Sequence, residues 1–281
     1  MQIGGVTIDT PVMNAACSVA KTMSDVVALS KTGIGAVLIG SVTLLPRTIN
    51  PGLNFEADEY YALNSFGMPN KGMEYYKKHL PDMVKVIHQS GKKAVLSIAG
   101  FSVDDYRKLA TLGEMVDLLE LNLGCPNVKD LVSHSEIISF NPVLIEQILI
   151  EVRKATETPL MVKLSPYSNP QQLSVIAEVL SRQQVAAVVT SNTFANGVFK
   201  QGTANADAMY AGISGKALMP IALGQVSQFR SLLPKTIKVV GVGGIERSSD
   251  VRTYLQAGAD LVQAATLIVR DGHAAIDRLF R

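Results

Sequence analysis

The sequence predicts an α/β protein of the (β/α)8 barrel (TIM barrel) class. Eight short, β-branched apolar runs recur along the chain, each followed by a helical pattern. Within each run the apolar residues occupy consecutive rather than alternating positions, as expected of strands buried on both faces of a parallel sheet. The length, 281 residues, is one that such a barrel uses as a single domain. Parallel strands need helical crossovers, and a closed sheet leaves no edge to protect. An open doubly wound sheet is the alternative, but the GxGxxG of a dinucleotide-binding sheet is missing after the first strand. With no linker, low-complexity tract or internal repeat beyond the β/α alternation, residues 1–281 read as one domain.

The strands are expected, in order, at Val12–Ala16, Ala36–Ser41, Ala94–Ala99, Leu118–Leu123, Leu160–Ser165, Ala186–Ser191, Lys238–Val242 and Asp260–Ala265. Between them, Asn141-Pro142 opens a helix with Ile145, Ile148, Leu149 and Val152 on one face. Asn169 caps another at Pro170, with Leu173, Ile176, Ala177 and Leu180 at helical spacing. Ser248 or Ser249 starts a helix whose Val251, Tyr254 and Leu255 face inward. Two connections, Val42 to Ala94 and Gly124 to Asn141, are longer than usual. Both follow the C-terminal ends of strands, where barrel enzymes carry their sites, so both read as functional loops, the second as a long active-site loop after the fourth strand.

Composition narrows the function. With 26 Lys+Arg against 24 Asp+Glu and no basic block, there is no nucleic-acid footprint. Hydrophobic residues at 47% and charged ones at 18% exclude a disordered chain. No apolar run reaches the roughly 20 residues of a membrane span, and Met1-Gln2-Ile3-Gly4-Gly5 lacks the pattern of a signal peptide. A soluble cytoplasmic protein is expected. Cys17 and Cys125 make no CxxC pair, and His79, His88, His134 and His273 have no metal-ligand spacing, so no metal is expected.

Four features could carry chemistry. Asn122-Leu123-Gly124-Cys125-Pro126-Asn127 sets a thiol between two amides at the end of the fourth strand. A free thiol titrates near about 8.5, so Cys125 suits an acid–base or nucleophilic role; a cysteine-protease arrangement needs a His partner that the sequence does not identify, and a buried small hydrophobe is the plainer alternative. Val240-Gly241-Val242-Gly243-Gly244-Ile245 and Ala264-Ala265-Thr266 follow the seventh and eighth strands, where such barrels make a phosphate site from backbone N–H groups; a simple turn is the other explanation. Lys163 lies among apolar residues in the fifth strand and must find an anion, lose its charge or snorkel to solvent. Asn14, Asn64-Ser65, Asn122, Asn127 and Ser191-Asn192-Thr193 gather amides and hydroxyls at strand ends or in loops. Such groups suit a uracil-like ring of alternating C=O and N–H groups, although any one of them alone is a turn or cap residue.

Taken together, Ala62-Leu63-Asn64-Ser65-Phe66-Gly67-Met68-Pro69-Asn70, Asn122-Leu123-Gly124-Cys125-Pro126-Asn127-Val128, Val162-Lys163-Leu164-Ser165-Pro166-Tyr167 and Gly241-Val242-Gly243-Gly244 resemble the class 1 dihydroorotate dehydrogenase family, barrels that contain FMN. The resemblance covers nearly the whole chain. It implies oxidation of dihydroorotate to orotate in pyrimidine biosynthesis, with Cys125 as the base at C5 and hydride transfer from C6 to flavin N5. It implies that Lys163 faces the flavin N1/O2 edge, that Gly215, Gly243, Gly244, Ala265 and Thr266 hold the FMN phosphate, and that Ala15, Ala16, Cys17, Ser41, Asn122 and Ser191 make other flavin contacts. Asn64, Ser65, Phe66, Gly67, Met68, Asn122, Asn127, Asn192 and Thr193 correspond to the pyrimidine site, and Lys129 to Phe140 to a lid. A homodimer, a soluble electron acceptor such as fumarate, or a separate electron-transfer subunit is implied in the same way.

Departures from the family pattern bear on the substrate. Gly40 stands where the family has a lysine before the serine that ends the second strand, which leaves a substrate carboxylate to amides, backbone N–H groups or another cation such as Lys21 or Lys129. Cys17 and Ala265 stand in place of glycines, and the region from Phe199 to Ala211 is shorter than in the fumarate-linked subclass. Two alternatives follow: a related FMN oxidoreductase acting on another dihydropyrimidine or cyclic ene, and a flavin-binding homologue without turnover.

Overall fold

The computed structural model describes residues 1–125, 137–199 and 210–281. Eight parallel strands close into a barrel: β1 (Val12–Asn14), β2 (Ala36–Val42), β3 (Lys93–Ile98), β4 (Leu118–Asn122), β5 (Leu160–Lys163), β6 (Ala187–Val189), β7 (Lys238–Val242) and β8 (Leu261–Ala264). Each pairs with the next in chain order, and β8 closes on β1. All eight expected strands are present. Several stop one or two residues early, because the chain leaves the ladder there to enter the loops of the site.

The helices α1 (Met23–Ser30), α2 (Met73–Gln89), α3 (Val103–Ala110), α4 (Pro142–Arg153), α5 (Pro170–Arg182), α6 (Met219–Leu232), α7 (Ser248–Gln256) and α8 (Thr266–Asp271) alternate with the strands. The caps read from sequence are in place. Asn141 Oδ1 accepts from Leu144 N at 3.0 Å and Asn169 Oδ1 from Gln171 N at 2.9 Å, satisfying N–H groups that a helix start leaves orphaned. The apolar stripes of α4 and α5 are buried as expected, and α7 buries Val251 and Tyr254, with Leu255 partly buried.

Side chains alternate along a strand, so half of each strand's residues point into the barrel. Ala36, Leu38, Val95, Leu118, Met161, Ala187, Val240 and Leu261 fill the interior as one apolar cluster. Further along the same strands the inward positions turn polar: Leu118 is followed by Glu120 and Asn122, Met161 by Lys163, and Leu261 by Gln263. The barrel is therefore a dry plug at one end and a polar chamber at the other. A hairpin of Gln2–Ile3 and Val6–Thr7 covers the dry end, with Ile3 and Ile8 packed into the interior cluster.

A four-stranded antiparallel sheet was not anticipated from sequence. Phe55–Ala57 and Ala62–Asn64 come from the long β2–α2 connection, and Phe194–Val198 and Tyr210–Ser214 from the loop after β6. The inner pairing aligns Asn64 with Gly212 and Ala62 with Ser214. These pieces are three to five residues long and pair across a wide separation in sequence, so local periodicity carries no sign of them. They bring the Asn64 loop beside the residues that follow β6.

Candidate active site

A cleft with about 1090 Å³ of empty space, its open mouth included, lies at the C-terminal ends of the barrel strands. Ala15, Ser41, Asn122, Lys163, Ser191, Val242 and Ala264 bring β1, β2, β4, β5, β6, β7 and β8 to its wall.

The polar inward positions form one hydrogen-bonded chain. Asn192 Nδ2 donates to Asn122 Oδ1 at 3.0 Å, and Asn122 Nδ2 to Ser41 Oγ at 2.9 Å. The Ser41 and Ser97 hydroxyls are 2.9 Å apart, and Ser97 Oγ donates to Glu120 Oε1 at 3.0 Å. Gln263 Nε2 donates to the other Glu120 oxygen at 2.7 Å, while Gln263 Oε1 stands 3.5 Å from Lys163 Nζ. Ser97, Glu120 and Gln263 are fully buried. A buried network of this kind is favourable only when its members are satisfied. Here the long contact to Lys163 is the weak link, and among the described residues no carboxylate lies within ion-pair distance of its ammonium. That leaves Lys163, buried and cleft-lining, suited to an anion in the cleft.

Three buried tyrosines on the outer helices fix the backbone of the site. Tyr76 of α2 donates to Lys21 O at 3.0 Å, Tyr106 of α3 to Asn122 O at 2.7 Å, and Tyr254 of α7 to Gly243 O at 2.6 Å. Burial pushes all three phenols well above their ordinary range, so they remain donors. Gln225 of α6 ties the ends of β5 and β6 together by donating to Ser165 O and Thr190 O.

The Asn64–Asn70 loop is held by residues outside it. Asn50 Nδ2 donates to Ser65 O at 2.9 Å and Arg47 Nε to Gly67 O at 3.0 Å. Asn70 accepts from Thr43 N and Gly72 N and donates to Thr43 Oγ1 and Met68 O. Gly67 has φ +75°, and a Cβ there would lie 2.2 Å from Asn50 Oδ1, so the motif's glycine permits the approach of Asn50.

Most of the residues singled out from sequence come together here. Ala15, Ala16, Cys17, Ser41, Asn122, Cys125, Lys163, Ser191, Gly243, Gly244, Ala265 and Thr266 line the cleft, as do Asn64, Phe66, Gly67, Met68, Asn192 and Thr193. Two do not. Ser65 is buried behind the loop, its N–H donating to Asn54 O at 2.9 Å. Gly215 lies behind Gly244, where its carbonyl oxygen would be 2.7 Å from a Cβ at that position. Asn127, and most of the expected lid from Lys129 to Phe140, lie outside the described residues. So does most of the stretch from Phe199 to Ala211.

Sequence reasoning missed the network of Ser97, Glu120 and Gln263, and the cleft-lining Phe55 and Ser214. The inward period of two was a signal for all three network residues, from Val95 to Ser97, Leu118 to Glu120 and Leu261 to Gln263; nothing local pointed to Phe55 or Ser214. Lys21, named only as one substitute cation, lines the cleft. Of the substitutions for glycine, Ala265 has φ −128°, a conformation open to any residue, and Cys17 is partly buried, its thiol pushed up by that burial. Gly40 is different. Its φ is +127°, and a Cβ would lie 2.4 Å from the Ser97 carbonyl oxygen. In this backbone position 40 has no room for a lysine side chain.

A barrel whose open end carries a thiol, a buried lysine, a glycine pair and a ring of amides has the parts to hold a phosphate-bearing cofactor beside a polar ring. The family model described as dihydroorotate dehydrogenase matches residues 1–281. The chain is 31% identical to dihydroorotate dehydrogenase A (fumarate) of Lactococcus lactis subsp. cremoris strain MG1363, over 96% of this chain and 88% of the relative. It is 29% identical to dihydroorotate dehydrogenase (fumarate) of Saccharomyces paradoxus, over 97% of this chain and 88% of that protein. A crystal structure of DHODH in complex with ferulenol from Eimeria tenella superposes with a TM-score of 0.84, at 21% identity, covering 99% of this chain and 81% of that one; that likeness concerns the fold. The chain belongs to the dihydroorotate dehydrogenase family, whose members are FMN-dependent oxidoreductases.

Proposed function

We propose that this protein oxidises dihydroorotate to orotate with FMN, in pyrimidine biosynthesis, residues 1–281 acting as one domain. The observation that carries the reading is the meeting of Cys125, Lys163 and the amides of Asn64, Asn122 and Asn192 in one cleft, in a chain matched from end to end by the family model.

The residues present fit the cofactor. Lys163 supplies a buried positive charge with one long neutral contact, suited to the N1/O2 edge of a flavin that gains negative charge on reduction. Gly243 and Gly244 adopt φ +130° and +70°, and with Thr266 Oγ1, which donates to Ser214 Oγ at 3.0 Å, they would hold the phosphate end. Ala15, Ala16, Cys17, Ser41 and Ser191 would hold the rest. When bound, FMN supplies the acceptor for the hydride that leaves C6 of the substrate.

The chain's own residues do the remaining work. Cys125 in its thiolate form takes the C5 proton, so that C5–H and C6–H both break as the C5–C6 double bond forms. Asn192 and Asn122 hold each other through the 3.0 Å bond, which orients their remaining N–H groups before the ring arrives. Thr193 Oγ1 is buried without a hydrogen-bond partner among the described residues, and a polar ring edge would satisfy it.

A soluble acceptor such as fumarate would reoxidise the enzyme, as in the fumarate-linked relatives from Lactococcus lactis and Saccharomyces paradoxus. A homodimer in the cytoplasm, with a separate electron-transfer subunit as the alternative to a soluble acceptor, completes the proposal. No helix among the described residues is long and apolar enough to cross a membrane.

Anaerobic mixing of the FMN-loaded protein with dihydroorotate tests the proposal: the flavin absorbance should bleach, and Cys125→Ser should slow bleaching by about 10²–10⁴-fold with FMN still bound. No bleaching from neutral to alkaline pH would sink it. Gly40 favours a second reading, oxidation of an uncharged dihydropyrimidine, because the second strand offers no cation to a substrate carboxylate.

A further inference from the structure

We propose that Lys21 is the specificity residue of this cleft, pairing with an anionic substituent of the ring substrate: the carboxylate, if the substrate is dihydroorotate. The inference rests on the proposed function and extends it, because it names the group that selects a charged ring over an uncharged one.

Lys21 lies between β1 and α1, is 9% exposed and lines the cleft with Cys17, Cys125 and Met68. Its backbone is held on both sides: Lys21 N donates to Asp25 Oδ2 at 3.0 Å, and Lys21 O accepts from the buried Tyr76 hydroxyl at 3.0 Å. Its ammonium donates to Pro69 O at 2.6 Å, which anchors it against the Gly67–Met68 turn. An ammonium has three donors, and among the described residues that carbonyl is its one hydrogen-bond partner. Asp25, the nearest acid in sequence, is engaged by Thr22 and the backbone of the capping box and makes no ion pair with Lys21.

The charge balance of the cleft points the same way. Its lining includes two lysines, Lys21 and Lys163, and one acid, Glu246, which is already bound by Arg270 at 3.0 Å. Lys163 rises from the barrel floor on β5 and suits the cofactor. Lys21 stands on the β1 loop, beside the thiol and the turn that the family resemblance assigns to the substrate. Burying an ammonium without a counter-charge is costly, and an anionic ligand at this point offsets that cost. Gly40 cannot supply the charge, since a Cβ there would lie 2.4 Å from Ser97 O; Lys21 supplies it from the neighbouring strand's loop.

The test is a ligand titration of the FMN-loaded protein, read as the perturbation of the flavin spectrum, with orotate and with uracil, the same ring without the carboxylate. Lys21→Met should weaken orotate by roughly 30-fold or more, leave uracil within about twofold and leave FMN bound, while Lys21→Arg should recover most of the orotate affinity. Orotate binding within about threefold of wild type in Lys21→Met would overturn the assignment while leaving dihydroorotate oxidation standing. Equal losses for orotate and uracil, or loss of FMN, would also overturn it, since they reveal a structural role. A wild-type protein that neither binds orotate nor is bleached by dihydroorotate would remove the proposed function itself, and this assignment with it.

Discussion

Replacing Gly40 with alanine tests how tightly the end of β2 is built against β3. The residue has φ +127°, a region nearly closed to residues with a Cβ, so the backbone term costs about 1–3 kcal/mol. The new Cβ would lie 2.4 Å from Ser97 O and 3.2 Å from Ser97 Cβ, where ordinary contact begins at 3.4 Å. Ser97 must therefore retreat by on the order of 1 Å, against the packing of a close-filled interior. Its strand is held by pairing of Ile39 with Leu96 and by Ala99 N donating to Val42 O at 2.8 Å. Overpacking of this kind costs about 1–3 kcal/mol. The two terms together amount to about 2–6 kcal/mol, or roughly 4–12 °C in the melting temperature of a domain this size. The displacement also reaches the cleft, because Ser97 holds the Ser41 hydroxyl, which in turn holds Asn122. Thermal melts of the FMN-loaded protein and the ratio of flavin to protein absorbance measure both effects. Gly224, an exposed helical position where a Cβ meets nothing within 4 Å, is the control, and Gly224→Ala should hold or slightly raise the melting temperature. A Gly40→Ala protein that melts within about 1 °C of wild type with full flavin would refute the reasoning, since neither term would then exist. By the same geometry, Gly40→Lys should fold worse and gain no affinity for orotate.

Further outcomes follow from charge and burial. Burial pulls the Lys21 ammonium down to about 8, against the opposing pull of Cys17, Cys125 and Asp25. Its charge is present below that pH and lost above it, so orotate affinity should fall between about pH 7 and 9, while Lys21→Arg should stay flat across the same titration. A fall of equal size in the arginine variant would assign the pH dependence to another group, Cys125 among them. Glu120→Ala should be strongly destabilising, because Ser97 Oγ and Gln263 Nε2 both lose a buried acceptor; at about 1–3 kcal/mol for each buried donor left unsatisfied, the loss is about 2–6 kcal/mol by urea unfolding. Glu120→Gln keeps one acceptor and should cost clearly less; equal costs for the two would show that the side chain's volume, not its hydrogen bonding, matters.

Much of the fold and part of the site were legible in the chain itself. The eight strands are specified locally by short apolar runs, and helices such as α4 and α5 by a cap, Asn141 or Asn169, and a stripe at helical spacing. Once eight such units are counted, the barrel follows from the handedness of crossovers and the absence of an edge. Cys125, Lys163 and Gly243-Gly244 were visible because each breaks the pattern around it at the end of a strand, where a barrel opens. The unanticipated parts depend on partners far apart in sequence. Asn64 meets Gly212 across a sheet assembled from two loops, and Tyr76, Tyr106 and Tyr254 each look like ordinary helix-core residues until the carbonyl each one reaches is known.

Position 40 and Lys21 mark the boundary most clearly. The sequence alone determined that the expected lysine is absent from the second strand and that a lysine occurs at position 21. Only the tertiary structure decided that the first site has no space for a side chain, and that the second sends its ammonium into the same cleft. The physical reason is that steric room and electrostatic environment are set by atoms packed through space, Ser97 O for Gly40 and Pro69 O for Lys21, and those neighbours leave no trace in the local order of residues.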